Sequence, residues 1–171
     1  MKTGYVHVYT GNGKGKTTAS LGLALRAAGS GLKVAIHQFA KNADCGAIKM
    51  LRKIRGIRIS QCGNGPFIIG KPQGGDIACA ERGFEAAKKD IYSKKYDIVI
   101  LDEINIAMKL GLVDTNEVRR LIVDKPGSVE LVLTGRHCPV AIKNVADLIT
   151  DMREVRHPYR RGIGARKGIE V

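Results

Sequence analysis

Residues 10–18, TGNGKGKTT, join the apolar run YVHVY to the helical pattern KTTASLGLALRAAGSG, and this junction limits the fold more than any other feature of the chain. Glycines at 11, 13 and 15 let successive backbone N–H groups turn toward one centre. A helix that starts at the loop adds the positive end of its dipole, Lys16 adds a point charge, and the Thr17 hydroxyl suits Mg²⁺. Every part points at a polyphosphate held by Asn12, Gly13, Lys14, Gly15, Lys16, Thr17 and Thr18. Thr10 stands where the commonest form of such a loop has its first glycine.

The rest of the chain repeats this strand-to-helix rhythm. Strands are predicted at YVHVY (5–9), KVAIHQF (33–39), IRISQ (57–61), DIVILD (97–102), VELVLTG (129–135) and DLITDMREV (147–155). Leu21, Leu25 and Ala28 form the stripe of a first helix, stopped by Gly29 and Gly31. Asp76 caps a second, whose stripe is Ile77, Ala80, Phe84, Ala87 and Ile91, and Asp114 with Thr115 starts a third. Residues 62–75, CGNGPFIIGKPQGG, are too rich in glycine and proline for a regular element, which predicts a functional loop. The tail HPYRRGIGARKGIEV is basic and punctuated by glycine, so it either folds over a ligand or frays.

Composition removes several classes of function. With 171 residues, 44% of them hydrophobic, and no Pro-rich or Ser-rich linker, the chain fits one domain. No apolar run approaches the roughly 18 residues of a membrane span, and the N-terminus lacks a signal-peptide layout, so a cytoplasmic protein is expected. Cys45, Cys62, Cys79 and Cys138 include no C-x-x-C pair, which disfavours a zinc ribbon and a disulfide framework. The net charge of +13 invites a nucleic-acid partner, with clusters at Lys49, Arg52, Lys53, Arg55 and Arg58 and at Arg153, Arg156, Arg160, Arg161, Arg166 and Lys167. Aromatic residues make up only 5% of the chain and interleave with neither cluster, so a solvated face or a small-anion site is the better reading.

Two further stretches carry chemistry. IVILDE delivers Asp102 and Glu103 to the carboxyl end of a strand, where ligands of open parallel sheets lie, and adjacent carboxylates suit Mg²⁺ directly or through water. LTGRH brings Arg136 to the end of the next strand, where its fork matches phosphate oxygens; His137 is given no catalytic role. The glycine loop and LDE together form a Walker A and Walker B pair. The expected fold is α/β of the P-loop (RecA-like) kind, with a mostly parallel six-stranded sheet, helices on both faces, and residues 1–171 as one nucleotide-binding domain. Physics alone does not choose between a hydrolase or motor, such as a RecA-like nucleic-acid-stimulated ATPase with Glu103 positioning water, and a nucleoside kinase; a module that holds ATP without chemistry would explain neither the long glycine loop nor the tail.

The stretches TGNGKGKTTAS, HQFAK, VILDEINIA with GLV, LVLTGRHCP, ADLITDMREVRHPY and GIGARKGIE together closely resemble the ATP:corrinoid adenosyltransferases, over nearly the whole chain. The resemblance implies that the cobalt(I) of a reduced corrinoid attacks the 5′ carbon of ATP, that triphosphate leaves intact, and that ATP lies reversed in the loop. It implies roles for Lys16, Glu103 and Arg136 in the reaction and for Thr17, Glu103 and Asp102 at Mg²⁺. It also implies a homodimer, a flavoprotein reductant, and an N-terminal cover over the corrinoid that is missing here or supplied otherwise. The family's corrinoid pattern, approximately G-x-G-F-x-W, is altered: this chain has Gly63, Asn64, Gly65, Pro66 and Phe67, and no Trp. Phe67 is the one aromatic available there to face the cobalt ligand.

Overall fold

Two strands are buried at every position, β2 (Val34–Phe39) and β4 (Ile98–Asp102), as strands covered on both faces must be. With β1 (Val6–Thr10), β3 (Ile57–Cys62), β5 (Glu130–Thr134) and β6 (Leu148–Asp151) they form one sheet in the order β3-β2-β4-β5-β1-β6. Every pairing is parallel, so all carboxyl ends share one edge. The computed structural model describes residues 2–40, 45–63 and 70–169.

Helices cover both faces. On one, α1 (Lys16–Gly29) and α2 (Gly46–Leu51) place Leu21, Ala24, Ala27, Ile48 and Leu51 over Val34, Ile36, Ile98, Ile100 and Val132. The other face carries α3 (Gly74–Tyr92), α4 (Ile104–Lys109), α5 (Thr115–Asp124) and α6 (Val140–Lys143). There Phe84, Ala87, Ile91, Ile104, Val118, Leu121 and Ile142 pack with Val8, Ala35, Phe39, Val99, Leu101 and Leu133. An all-parallel sheet with a glycine loop between β1 and α1 is a P-loop-type α/β fold.

Several sequence expectations need correction. The α1 stripe runs through Ser20, Leu21, Ala24 and Ala27, while Leu25 is 54% exposed and Ala28 only half-buried. Asp76 is the third residue of α3, not its cap. Gln73 takes the cap position, and the Asp76 carboxylate accepts from the Gln73 amide at 2.9 Å in a capping box. Ile77 lies at the exposed end of its stripe. The helix begins at Gly74, inside the stretch expected to be loop. Strand β6 ends at Asp151 rather than 155, and α2, α4 and α6 were not anticipated.

The first basic cluster does not form one face. Arg58 bonds Asp90 of α3, whereas Arg52 reaches Gln61 on the α1 side of β3. All four cysteines are free thiols, and no helix among the described residues is long and apolar enough to cross a membrane.

Candidate functional site

The carboxyl edge of the sheet brings the predicted residues together. Thr10 closes β1 with its side chain buried, so the turn falls to the next residue, Gly11, at φ 98°. A Cβ at Gly11 would lie 2.3 Å from Asp151 Oδ1, and one at Gly13 would lie 2.6 Å from the Met152 carbonyl oxygen. The Gly13 amide donates to that carbonyl at 2.6 Å. The loop is therefore seated on the segment that leaves β6, a contact only glycine permits.

Lys16 opens α1 and turns back into the loop. Its Nζ donates to the carbonyls of Gly11 at 2.8 Å and Gly13 at 2.6 Å. Burial pushes this ammonium below its ordinary pKa; Glu103 and Asp151 oppose the shift and Arg136 adds to it. Lys16 thus shares an electrostatic field with acids and a base from the ends of β4, β6 and β5.

Glu103 follows β4 in the left-handed region, φ 60° and ψ 20°, and its backbone N–H donates to Thr134 Oγ1 at 3.0 Å. Ala40 after β2 and His137 after β5 also have positive φ, at 54° and 59°. Such conformations cost about 1–3 kcal/mol each and gather where function requires them. Asp102 is fully buried, and its carboxylate accepts from Gln38 at 2.8 Å and Thr134 at 2.7 Å. Asn105, also fully buried, donates to the Gly135 carbonyl at 3.0 Å behind Arg136. Sequence reasoning gave no role to Gln38 or Asn105. Neither carried a signal in the sequence: β2 is buried on both faces, so its run shows no alternation that would assign Gln38 a face.

A cavity of about 760 Å³ opens above this edge. Gly13, Lys14, Gly15, Lys16, Thr17 and Thr18 line it, together with Glu103 and Arg136. Leu21, Ala40, Ala47, Ile106 and Leu110 supply an apolar wall, and His157, Gly168 and Ile169 of the tail complete the lining. Asn12 lines a second cavity of about 440 Å³ instead, with His137, Lys143 and Arg153. Asp102 lines neither of these two. Phe67 lies outside the described residues. Thr17 and Glu103 both line the first cavity, and a hydroxyl with a carboxylate is a donor set whose chemistry fits Mg²⁺, which takes one or two protein oxygens beside phosphate and water.

A family model described as ATP:corrinoid adenosyltransferase BtuR/CobO/CobP matches residues 2–171. A corrinoid adenosyltransferase of a Sinorhizobium species is 37% identical over 98% of this chain and 80% of its own length. Those of Pseudomonas aeruginosa and Escherichia coli K12 are 34% and 31% identical, each over 98% of this chain and 83% and 85% of their own lengths.

Proposed function

The chain belongs to the ATP:corrinoid adenosyltransferase family, and from that premise we propose that it transfers the 5′-deoxyadenosyl group of ATP to the cobalt(I) of a corrinoid during adenosylcobalamin synthesis or salvage. The observation that carries the reading is the convergence of the glycine loop, Glu103 and Arg136 on one cavity with a cationic end and an apolar wall.

In this reaction the corrinoid is the nucleophile. A cobalt–carbon bond forms at the 5′ carbon, the carbon–oxygen bond breaks, and its electron pair leaves with triphosphate. No general base is needed. The loop amides, Lys16 and Arg136 face the departing anion, where fixed donors stabilise the charge that develops. Lys16 exchanges its carbonyl partners Gly11 and Gly13 for phosphate oxygens. Thr17 and Glu103 would hold Mg²⁺, which would neutralise part of the triphosphate charge. Phe67 would face the cobalt ligand. A cytoplasmic homodimer supplied with electrons by a flavoprotein completes the reading.

Incubation with ATP, Mg²⁺ and chemically reduced cobalamin tests it. Intact triphosphate is expected in amounts equal to adenosylcobalamin; ADP with phosphate would overturn the reading in favour of an ATPase. The nucleic-acid-stimulated ATPase finds no support in the family match or in the divided basic cluster.

A further inference from the structure

On the α1 face of the sheet the rows toward the amino ends are apolar on three strands, Ile57 and Ile59 on β3, Val34 and Ile36 on β2, and Ile98 and Ile100 on β4, while β5 adds Glu130 and then Val132. The last row changes character. It consists of Gln61, Gln38, Asp102 and Thr134, one from each of four adjacent strands. Gln38 is in register with Gln61 on one side and Asp102 on the other.

These four side chains form one chain of hydrogen bonds that converges on the Asp102 carboxylate. Gln61 Nε2 donates to Gln38 Oε1 at 2.9 Å, Gln38 Nε2 to Asp102 Oδ2 at 2.8 Å, and Thr134 Oγ1 to Asp102 Oδ1 at 2.7 Å. Thr134 Oγ1 then accepts the backbone N–H of Glu103 at 3.0 Å. Arg52 donates to Gln61 at the outer end. Gln38, Asp102 and Thr134 are each at most 1% exposed. An apolar row would fill the same space without the cost of burying three polar side chains, so packing does not account for the row. What the chain fixes is the one residue at its inner end whose backbone is left-handed without being glycine, Glu103.

We propose that Gln38 and Thr134 are positioning residues: Thr134 holds the Glu103 N–H directly, Gln38 fixes Thr134 by way of Asp102, and together they lock the backbone of Glu103 and so aim its carboxylate into the cavity. The inference rests on the reading of Glu103 as the acid of the Mg²⁺–ATP site, and it puts Asp102 one step behind the metal. An amide is needed at position 38 because it must accept from Gln61 and donate to Asp102 at once, and a hydroxyl is needed at 134 because it must donate to Asp102 and accept from Glu103.

The test compares Thr134→Val, Thr134→Ser, Gln38→Met and Glu103→Gln in the full chain. Two readouts are used: solvent exchange of the Glu103 amide by NMR, and the Mg²⁺ dependence of ATP binding by calorimetry. Thr134→Val is expected to speed exchange about tenfold and to raise the half-saturating Mg²⁺ roughly five- to tenfold, the size of one lost hydrogen bond. ATP binding without Mg²⁺ should stay within about twofold. Thr134→Ser should restore both values, and Gln38→Met should move both in the same direction. Gln38→Met alone decides the matter if Thr134→Val does not fold. Folded variants with wild-type exchange and a wild-type Mg²⁺ titration would overturn the proposal. Faster exchange with an unchanged titration in Glu103→Gln as well would overturn the reading of Glu103, and its positioning with it.

Discussion

Lys16 sits at the centre of the site as a buried cation held by two carbonyls of its own loop. Its partners are backbone groups of the loop rather than core side chains, so Lys16→Ala is expected to leave the fold in place. Turnover should fall by about 10²–10³, the effect of losing one preorganised donor to a developing anion. Circular dichroism beside the adenosylation rate checks both halves; retained turnover would remove the loop lysine from the chemistry. His37 gives a second residue-scale prediction. Burial holds its imidazole below the ordinary value of 6.5, Arg58 adds to the depression, and Asp90 opposes it. Asp90 lies 3.0 Å from Nε2, and Ser60 lies 2.8 Å from Nδ1. The unfolded chain takes up this proton near 6.5 while the folded chain resists it, so stability is lost as pH falls through that region. Melting temperature should drop between about pH 7.5 and pH 5.5, and less steeply in His37→Gln; equal slopes would contradict the assignment. The place of Glu103 and Arg136 at the carboxyl edge was legible in the sequence because each sits directly after a strand pattern, and that of Lys16 because it follows the glycine loop. Gln38 and Asn105 were not, since a polar residue inside a run such as VAIHQF or INIAMK announces neither its face nor its partner.

Elements were legible where one face is buried and the other is wet. The α5 helix is such a case: Val118, Leu121 and Ile122 are buried, and Asp114 accepts from the amides of Asn116 at 2.8 Å and Glu117 at 3.0 Å. Asp114→Ala removes both bonds and should cost about 1 kcal/mol, seen as a fall of about 2–4 °C in melting temperature. No change in a thermal scan would mean that the cap contributes nothing. The α4 helix escaped because four of its six residues, Ile104, Asn105, Ala107 and Met108, are buried, leaving little stripe to read. Strand β6 was overextended for the opposite reason. All four of its residues are exposed at the sheet edge, so no alternation of burial marks where it stops. Its end is set by the glycine loop instead, through the Gly13 to Met152 bond.

At the scale of the whole molecule the order β3-β2-β4-β5-β1-β6 has a kinetic side. Strand β1 is made first, yet its neighbours are β5, through residues 131–134, and β6, through residues 148–151. The loop after it needs Met152 as well. Pairings this distant along the chain are slow to form, and during synthesis they wait for the C-terminal part of the protein. A polypeptide emerging from the ribosome can pair β2 with β3 and then with β4 long before it can close the glycine loop. Nascent chains stalled before residue 148 has emerged are expected to bind no ATP, and chains released in full to bind it; binding by the stalled chains would show that the loop closes without its seat on β6. Synthesis thus acts as a clock on this protein: the glycine loop is translated before both strands that flank β1, so a motif made early waits for chain made late before its geometry is complete.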